Sequence, residues 1–223
     1  MKRVLLVVLG IVLFFSFAEL TTASSATDNQ AEKNANELTG KNLPPYVEAA
    51  RKQLCEELHP ECVGSEQIRY IKNIEVFFSE HCITNPVDQD LYREQQAFVF
   101  SYKFPIFLNG DYPSFQLASK EYLRNPSFVV ALAGIIRHER VHSNNDPSEV
   151  HGYGAEIQYL ERMQKKGKFE NGEAYLAKVK SLYGQYVTDK IANGSIPVSF
   201  APGQPSVESS VPQQSNCEIS QVR

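Results

Sequence analysis

The hydrophobic and polar positions in the first half of the chain follow two different periods. In residues 45–58 the apolar side chains recur at helical spacing behind a proline start, which predicts a helix. Apolar and polar positions alternate in IRYIKNIEVFF, residues 68–78, and this pattern predicts a strand. Residues 97–119 are rich in aromatic and branched side chains, and the Asn109-Gly110 pair among them predicts a hairpin with a strand on each side.

From Asn125 onward the period changes to that of a helix. Asn125 suits the cap, Pro126 suits the first helical position, and the apolar residues that follow form a stripe. Residues 143–147, SNNDP, break this helix. A second helix is predicted from about Glu149 to Lys166, and a third over 172–192. We therefore predict an α+β fold, in which a small mixed or antiparallel sheet packs with a helical subdomain.

The two ends of the chain differ in composition from its middle. Lys2 and Arg3 precede the apolar run Val4–Ala18, and small residues follow, which is typical of a signal peptide. An uncleaved N-terminal anchor is the alternative, although the run is a little short for a membrane span. Signal cleavage predicts a secreted or periplasmic protein with no stable membrane span. The predicted divisions are a signal peptide (1–26), a flexible leader (27–44), a single domain (45–195) and a Pro/Ser/Gln-rich tail (196–223).

Four cysteines, an even number, follow the predicted signal peptide. In an oxidising compartment this number indicates two disulfides. Four cysteines allow three pairings, of which we favour Cys55 with Cys62, across a short loop, and Cys82 with Cys217. A zinc site built from these cysteines is disfavoured because the chain has no C-x-x-C spacing.

The net charge of the chain indicates which kinds of macromolecule it is suited to bind. The formal net charge is -4, so the chain lacks the strongly basic balance that proteins binding nucleic acid carry. We therefore do not expect nucleic acid as a partner.

The sequence HERVH places two histidines and a glutamate in the pattern H-E-x-x-H. His138 and His142 are four residues apart, so on a helix they lie one above the other on the same face. Two imidazoles so placed can both reach one Zn²⁺ ion at about 2.0–2.1 Å. Glu139 lies about 100° round the helix, beside the metal, where its carboxylate can take a proton from a zinc-bound water. The pattern therefore indicates a zinc centre with a general base.

The next helix offers the third ligand. A short loop should return the chain antiparallel, which would bring residues 149–152 level with the two histidines. Glu149 is our first choice, although a glutamate in a first helical turn also suits the helix dipole. Glu156 is the alternative ligand, about 10 Å further along the helix at 1.5 Å per residue. His151 points to a different face from Glu149.

Tyr153 is four residues after Glu149 and shares its helix face. A phenol at this position can donate a hydrogen bond to the oxyanion of a tetrahedral intermediate. A tyrosine packed in a core stripe is the other interpretation of the same residue.

With the HERVH helix and the helix that begins at SEVHGYGAEIQYLERM, the chain resembles the zincin metallopeptidases of the small, gluzincin-like type. The resemblance covers roughly residues 95–165. It implies a zinc-dependent hydrolase that cleaves polypeptides, with zinc on His138, His142 and a glutamate of the second helix, and Glu139 as the base. Together with the predicted signal peptide, this is the expectation of a secreted enzyme. A strand within KFPIFLN (103–109) or FQLAS (115–119) is expected to form the cleft edge and bind an extended substrate. The alternative function is a secreted, non-catalytic binding or structural module on a zincin-like frame.

Overall fold

A computed structural model describes residues 36–59, 62–100 and 105–192, which form a four-stranded sheet and seven α-helices and so confirm the predicted α+β class. The strands are β1 (Glu37–Leu38), β2 (Ile68–Ile71), β3 (Ala97–Phe98) and β4 (Ile106–Asn109). The helices are α1 (Pro45–Glu57), α2 (Ile74–Glu80), α3 (Pro86–Arg93), α4 (Pro113–Glu121), α5 (Ser127–Ser143), α6 (Glu149–Lys165) and α7 (Glu173–Ala192). None of the helices in this described part of the chain is both long and apolar enough to cross a lipid bilayer.

The sheet is mixed and has the strand order β1-β2-β4-β3. β2 and β4 run parallel at its centre, and β1 and β3 pair antiparallel with them at the edges. Side chains alternate between the two faces, so Ile106 and Leu108 pack in one core cluster and Phe107 in another. Phe107 belongs to an aromatic layer, in which its ring stacks on that of Phe98 with centroids 5.5 Å apart. The sheet thus separates two cores.

The larger core joins the sheet to α1, α5, α6 and α7. Gly134 of α5 faces α6, where a Cβ atom would lie 3.1 Å from Leu160 Cδ2 and 3.2 Å from Glu156 Cγ. The missing side chain therefore lets the two helices approach closely along the turn that precedes the HERVH sequence. Leu160 is fully buried at this contact, and burying a leucine side chain stabilises the fold by about 1.5–3 kcal/mol.

The prediction of a strand over 68–78 is correct for Ile68–Ile71 and wrong for the remainder, which contains α2. Asn73 ends the extended segment because its side chain caps the helix, with Oδ1 accepting from the backbone N–H groups of Glu75 and Val76 at 3.0 Å. The helix cap at Asn73 therefore outweighs the alternating pattern that favours a strand. Val76, which a strand would have buried, lies in the helix with 42% of its surface exposed.

The hairpin predicted at Asn109-Gly110 does not form, because α4 follows the turn where a strand was expected. Asn109 ends β4, with its side-chain oxygen accepting from the Asp111 N–H at 3.1 Å. Gly110 donates its N–H to the carbonyl of Ile71 at 2.8 Å, and a Cβ atom there would lie 2.5 Å from Tyr70 Cζ. The glycine thus serves a close approach between backbones and not a hairpin turn.

The predicted cleft-edge strand is also not found. FQLAS lies in α4, and β4 within KFPIFLN is paired on one side with β2 and on the other with β3. A strand paired on both sides has no free edge at which an extended peptide could add. The edges of the described sheet belong to β1 and β3.

The flexible leader predicted over 27–44 is wrong for residues 36–44. Glu37 and Leu38 pair with β2, and the Glu37 carboxylate lies 2.6 Å from Nε2 of His81. Leu43 is buried in the larger core. Residues 27–35, the predicted signal peptide (1–26) and the predicted tail (196–223) lie outside the described residues.

One of the two predicted disulfides is confirmed, between Cys55 at the end of α1 and Cys62, with Cα atoms 4.4 Å apart. Cys82 is not a free cysteine either, and its predicted partner, Cys217, lies outside the described residues.

Candidate metal centre

The last turns of α5 and the first turns of α6 position the candidate site. The apolar stripe of α5 is buried against the sheet and α1, which fixes the helix that carries His138, Glu139 and His142. Asn145, in the left-handed conformation with φ 69°, lies in the loop that reverses the chain. Ser148 then caps α6, its hydroxyl accepting from the His151 N–H at 3.4 Å.

The structure brings together the three residues that the sequence selects first as ligands. Nε2 of His138 lies 3.2 Å from Oε2 of Glu149, and Nε2 of His142 lies 3.6 Å from Oε1 of the same carboxylate. One ligand atom from each residue lies within 4.8 Å of the others, so this group could hold a metal ion. Glu149 is level with both histidines because α6 begins beside the end of α5, as the short loop predicts.

The other ring nitrogen of each histidine is already engaged. Nδ1 of His142 lies 2.7 Å from the carbonyl oxygen of Asp146, which can only accept, so Nδ1 carries the proton. Nδ1 of His138 lies 3.3 Å from Oε2 of Glu156, also an acceptor. Both Nε2 atoms are thereby directed toward Glu149, which is how metal-binding imidazoles are commonly held.

The donor set fits a small divalent cation. Four ligands placed tetrahedrally about 2.0–2.1 Å from a zinc ion lie about 3.3–3.4 Å from one another. The two observed nitrogen–oxygen distances, 3.2 Å and 3.6 Å, lie on either side of this value. Nε2 of His142 is buried and has no hydrogen-bond partner among the described residues, since 3.6 Å is too long for a hydrogen bond. An orphaned buried lone pair costs stability unless something binds it. Two imidazoles and a carboxylate are ligands that zinc accepts.

Glu156, the alternative third ligand, lies outside the group of three. It is buried, with 2% of its surface exposed, and contacts His138 on the ring edge remote from Glu149. Tyr175 of α7 donates its hydroxyl hydrogen to Oε1 of Glu156 at 2.7 Å, which fixes the carboxylate. Glu156 thus orients the His138 ring and does not belong to the group that could hold a metal ion.

The buried His138 and the half-buried Glu149 form an ion pair. Burial lowers the pKa of His138, but hydrogen bonds with the carboxylates of Glu149 and Glu156 outweigh it and raise that pKa to about 10. Burial raises the pKa of Glu149, and the same bond to His138 outweighs it and lowers that pKa. At neutral pH His138 is therefore protonated and Glu149 ionised, so a metal ion would replace a proton.

Glu139 is buried on the flank of the same helix, with 8% of its surface exposed. Burial raises the pKa of its carboxyl group, partly offset by the nearby His138 and His142. Its environment is therefore one that makes a carboxylate a stronger base.

Tyr153 contacts the site through its ring. The ring lies edge-on to that of His138 with centroids 4.4 Å apart, and it stacks on the Tyr186 ring at 5.4 Å. Burial, followed by the negative charge of Glu149, raises the pKa of Tyr153, so the phenol remains protonated at neutral pH.

Sequence reasoning did not select three residues that shape this site. Gly152 faces His138, and a Cβ atom on it would lie 2.7 Å from Nε2 of that ring. Tyr175 holds Glu156, and Lys190 of α7 donates to the Ser148 hydroxyl at 3.1 Å. Gly152 was detectable as a glycine inside a helical pattern. No sequence signal pointed to the other two, because both contacts join α7 to α6 across the fold.

A cavity of about 710 Å³ lies elsewhere, between α1, the start of α5 and the loop after α6. Lys52, Ser127 and Lys168 are among its lining residues, and none of the residues that line it belongs to the candidate metal centre.

Comparison with known proteins gives no relative. No protein-family model, curated protein or solved structure matches the chain. The functional interpretation therefore depends on the geometry of the site itself.

Proposed function

We propose that this protein is a zinc-dependent metallopeptidase that hydrolyses polypeptides. The observation that carries the proposal is the convergence of His138, His142 and Glu149, whose Nε2 and carboxylate atoms face one another while each Nδ1 has its own acceptor. Glu139 lies on the same helix, buried, one residue after the first histidine. These are the residue types that zinc-dependent hydrolysis would use as metal ligands and general base, which supports the proposal.

The metal and the base have separate tasks. Bound Zn²⁺ would act as a Lewis acid, polarising a peptide carbonyl and making water in the site more acidic. The Glu139 carboxylate accepts a proton from the attacking water and returns it to the leaving amine. Its raised pKa supports both transfers, because a stronger base takes the proton more readily and the resulting acid can still release it.

Tyr153 is the proposed donor to the developing oxyanion. Its protonated phenol shares a helix face with Glu149 and its ring touches His138, so the side chain is held beside the ligands. A donor fixed in a water-poor site stabilises negative charge more than one in bulk water does.

We further propose that the enzyme acts outside the cytoplasm, as a secreted or periplasmic protein. The sequence of residues 1–26 supports this, and the Cys55–Cys62 disulfide is compatible with an oxidising compartment.

Replacing Glu139 by glutamine tests the catalytic proposal. The Glu139→Gln variant should bind zinc like the parent, while its hydrolysis of an unfolded polypeptide such as casein should fall about 10²-fold or more. Glu161→Gln is the matched control, because Glu161 lies on α6 in a surface ion pair with Lys180 at 2.7 Å. Equal rates for the parent and Glu139→Gln would refute Glu139 as the base.

A structural ion cluster in a non-catalytic module is the second candidate. It is favoured by His138, which has a carboxylate within 3.3 Å of each ring nitrogen and is thus satisfied without a metal. On this reading the cluster would only stabilise the contact between α5 and α6. A zinc-loaded protein that cleaves no polypeptide across a broad substrate set would favour this candidate.

A further inference from the structure

Lys190 is the one half-buried lysine among the described residues, the others being exposed. It lies near the end of α7, and its ammonium group donates to the hydroxyl of Ser148 at 3.1 Å. Ser148 immediately precedes the ligand Glu149, so the ammonium group is held beside the candidate metal centre. A lysine side chain is normally extended into water, and ordering it costs conformational entropy.

The ammonium group of Lys190 is incompletely used by the protein. No carboxylate within the described residues lies within ion-pair distance of it, whereas Lys180 on the same helix pairs with Glu161 at 2.7 Å. The charge of Lys190 does act at longer range on the Glu149 carboxylate and helps to lower the pKa of that group, which places the ammonium group on the side of the ligands. An ammonium group has three donors, and the Ser148 hydroxyl accepts only one. Two N–H groups therefore remain for an anion that approaches the site.

Aromatic rings connect the ligands with this cation. The rings of His138, Tyr153 and Tyr186 contact one another in sequence, with centroids 4.4 Å and 5.4 Å apart. Tyr186 is four residues before Lys190, so the two share one face of α7. A row of aromatic rings thus runs from the metal ligands toward the ammonium group, and its apolar faces are the kind of surface that a substrate's apolar side chain would contact.

We propose that Lys190 binds the free α-carboxylate of the substrate, so that the enzyme is a carboxypeptidase that prefers a C-terminal aromatic or other large apolar residue. This inference rests on the proposed function and specifies its substrate class. With the terminal carboxylate on Lys190 and the terminal side chain against Tyr186, the last peptide bond lies toward His138, His142 and Glu149.

The reaction consumes one water molecule. The water oxygen bonds to the carbonyl carbon of the last peptide bond, and the carbon–nitrogen bond breaks. The proton that Glu139 has taken from the water passes to the leaving amine. The products are a free amino acid and a peptide shortened by one residue with a new terminal carboxylate.

The test compares two blocked peptides that end in tyrosine and differ only in a free C-terminal carboxylate or a carboxamide. The zinc-loaded parent should release tyrosine from the acid with a kcat/KM about 10- to 100-fold above its value for the amide, the range of a charge-assisted hydrogen bond. Lys190→Met, which keeps the apolar stem, should abolish this preference. Lys180→Met, on the same helix, should retain it.

A binding measurement makes the test independent of turnover. N-acetyl-L-tyrosine should bind the zinc-loaded and the metal-free parent at least about tenfold more tightly than N-acetyl-L-tyrosinamide in calorimetric titration, and Lys190→Met should remove the difference. Equal affinities for acid and amide would overturn the role of Lys190. Equal cleavage of both peptides, or cleavage of internal bonds only, would also overturn it while leaving the metallopeptidase proposal intact. Selective binding of the acid without any cleavage would instead contradict the metallopeptidase proposal.

Discussion

A methyl group on Gly152 should disable the candidate metal centre. In the Gly152→Ala variant the new Cβ would lie 2.7 Å from Nε2 of His138 and 2.8 Å from its Cδ2, well inside van der Waals contact. The ring cannot move aside, because Glu156 holds its Nδ1 edge and Tyr153 lies against it. The overlap falls on the atom expected to bind zinc.

Two opposed effects determine how much Gly152→Ala changes the stability of the metal-free protein. Overpacking of a buried site costs about 1–3 kcal/mol, and replacing glycine by alanine in a helix returns up to about 1 kcal/mol. Metal-free Gly152→Ala should therefore be destabilised by about 0–2 kcal/mol. Zinc affinity should fall more, by about 10- to 100-fold or beyond, because a displaced imidazole loses its place in the ligand set.

Gly154 provides the matched control two residues further along α6. A Cβ there would meet only Tyr183 Cε2, at 3.8 Å, which is an ordinary contact. Gly154→Ala should therefore keep zinc affinity and gain up to about 1 kcal/mol of stability, which raises Tm by about 2–4 °C. Chelator competition measures the affinity, and urea unfolding of the metal-free proteins measures the stability. Parental zinc affinity in Gly152→Ala would refute the placement of His138 against α6.

Three further predictions concern the proposed ligands and the proton on His138. Glu149→Gln should weaken zinc binding more than Glu156→Gln does. Glu156→Gln should lower zinc affinity by about 10- to 100-fold, because it affects only the orientation of His138. Competition titrations that give the reverse order would make Glu156 the ligand. Zinc affinity should rise by about tenfold per pH unit between about pH 6 and pH 8, since binding displaces the proton that His138 holds below its pKa of about 10. Because the pKa of His138 is raised on folding, this histidine stabilises the metal-free protein fully below its unfolded pKa of about 6.5, and the stabilisation is lost as the pH rises toward 10. Urea unfolding measured across that pH range would detect the loss. An affinity that does not change with pH would show that His138 is neutral in the metal-free protein.

The helices that carry the site were predictable from sequence, because their signals are local. The apolar stripe of α5, the SNNDP break and the cap of α6 are each contained within a few residues, and together they bring Glu149 level with the two histidines. The candidates for a third ligand could be ranked from the length of the loop alone.

The remainder of the site depends on contacts between distant segments. Glu156 lies further along α6 than Glu149, as its place in the sequence predicts, but its contact with His138 has no local sequence signal. Because α6 runs back along α5, Glu156 meets the earlier histidine, His138, on its Nδ1 edge. Tyr175 then reaches Glu156 from α7, a contact that no local pattern encodes.

The errors in the sheet have a similar cause. Alternation at 68–78 favours a strand, but the side chain of Asn73 caps a helix there. The Asn109-Gly110 pair resembles a hairpin turn, whereas Gly110 is required by its close approach to β2. In both places the local sequence does not show whether an asparagine or glycine forms a hairpin turn or has another structural role, here a helix cap and a close contact between backbones.

Metal content tests the central claim most directly. The purified full chain, loaded with zinc and freed of excess metal, should hold about one zinc ion per chain. His142→Ala should lose it, while the control His151→Ala should retain it, since the His151 side chain is 66% exposed and pairs with Asp146. A parent protein that retains no zinc, or a His142→Ala variant that retains it fully, would contradict the metal centre and with it the proposed function.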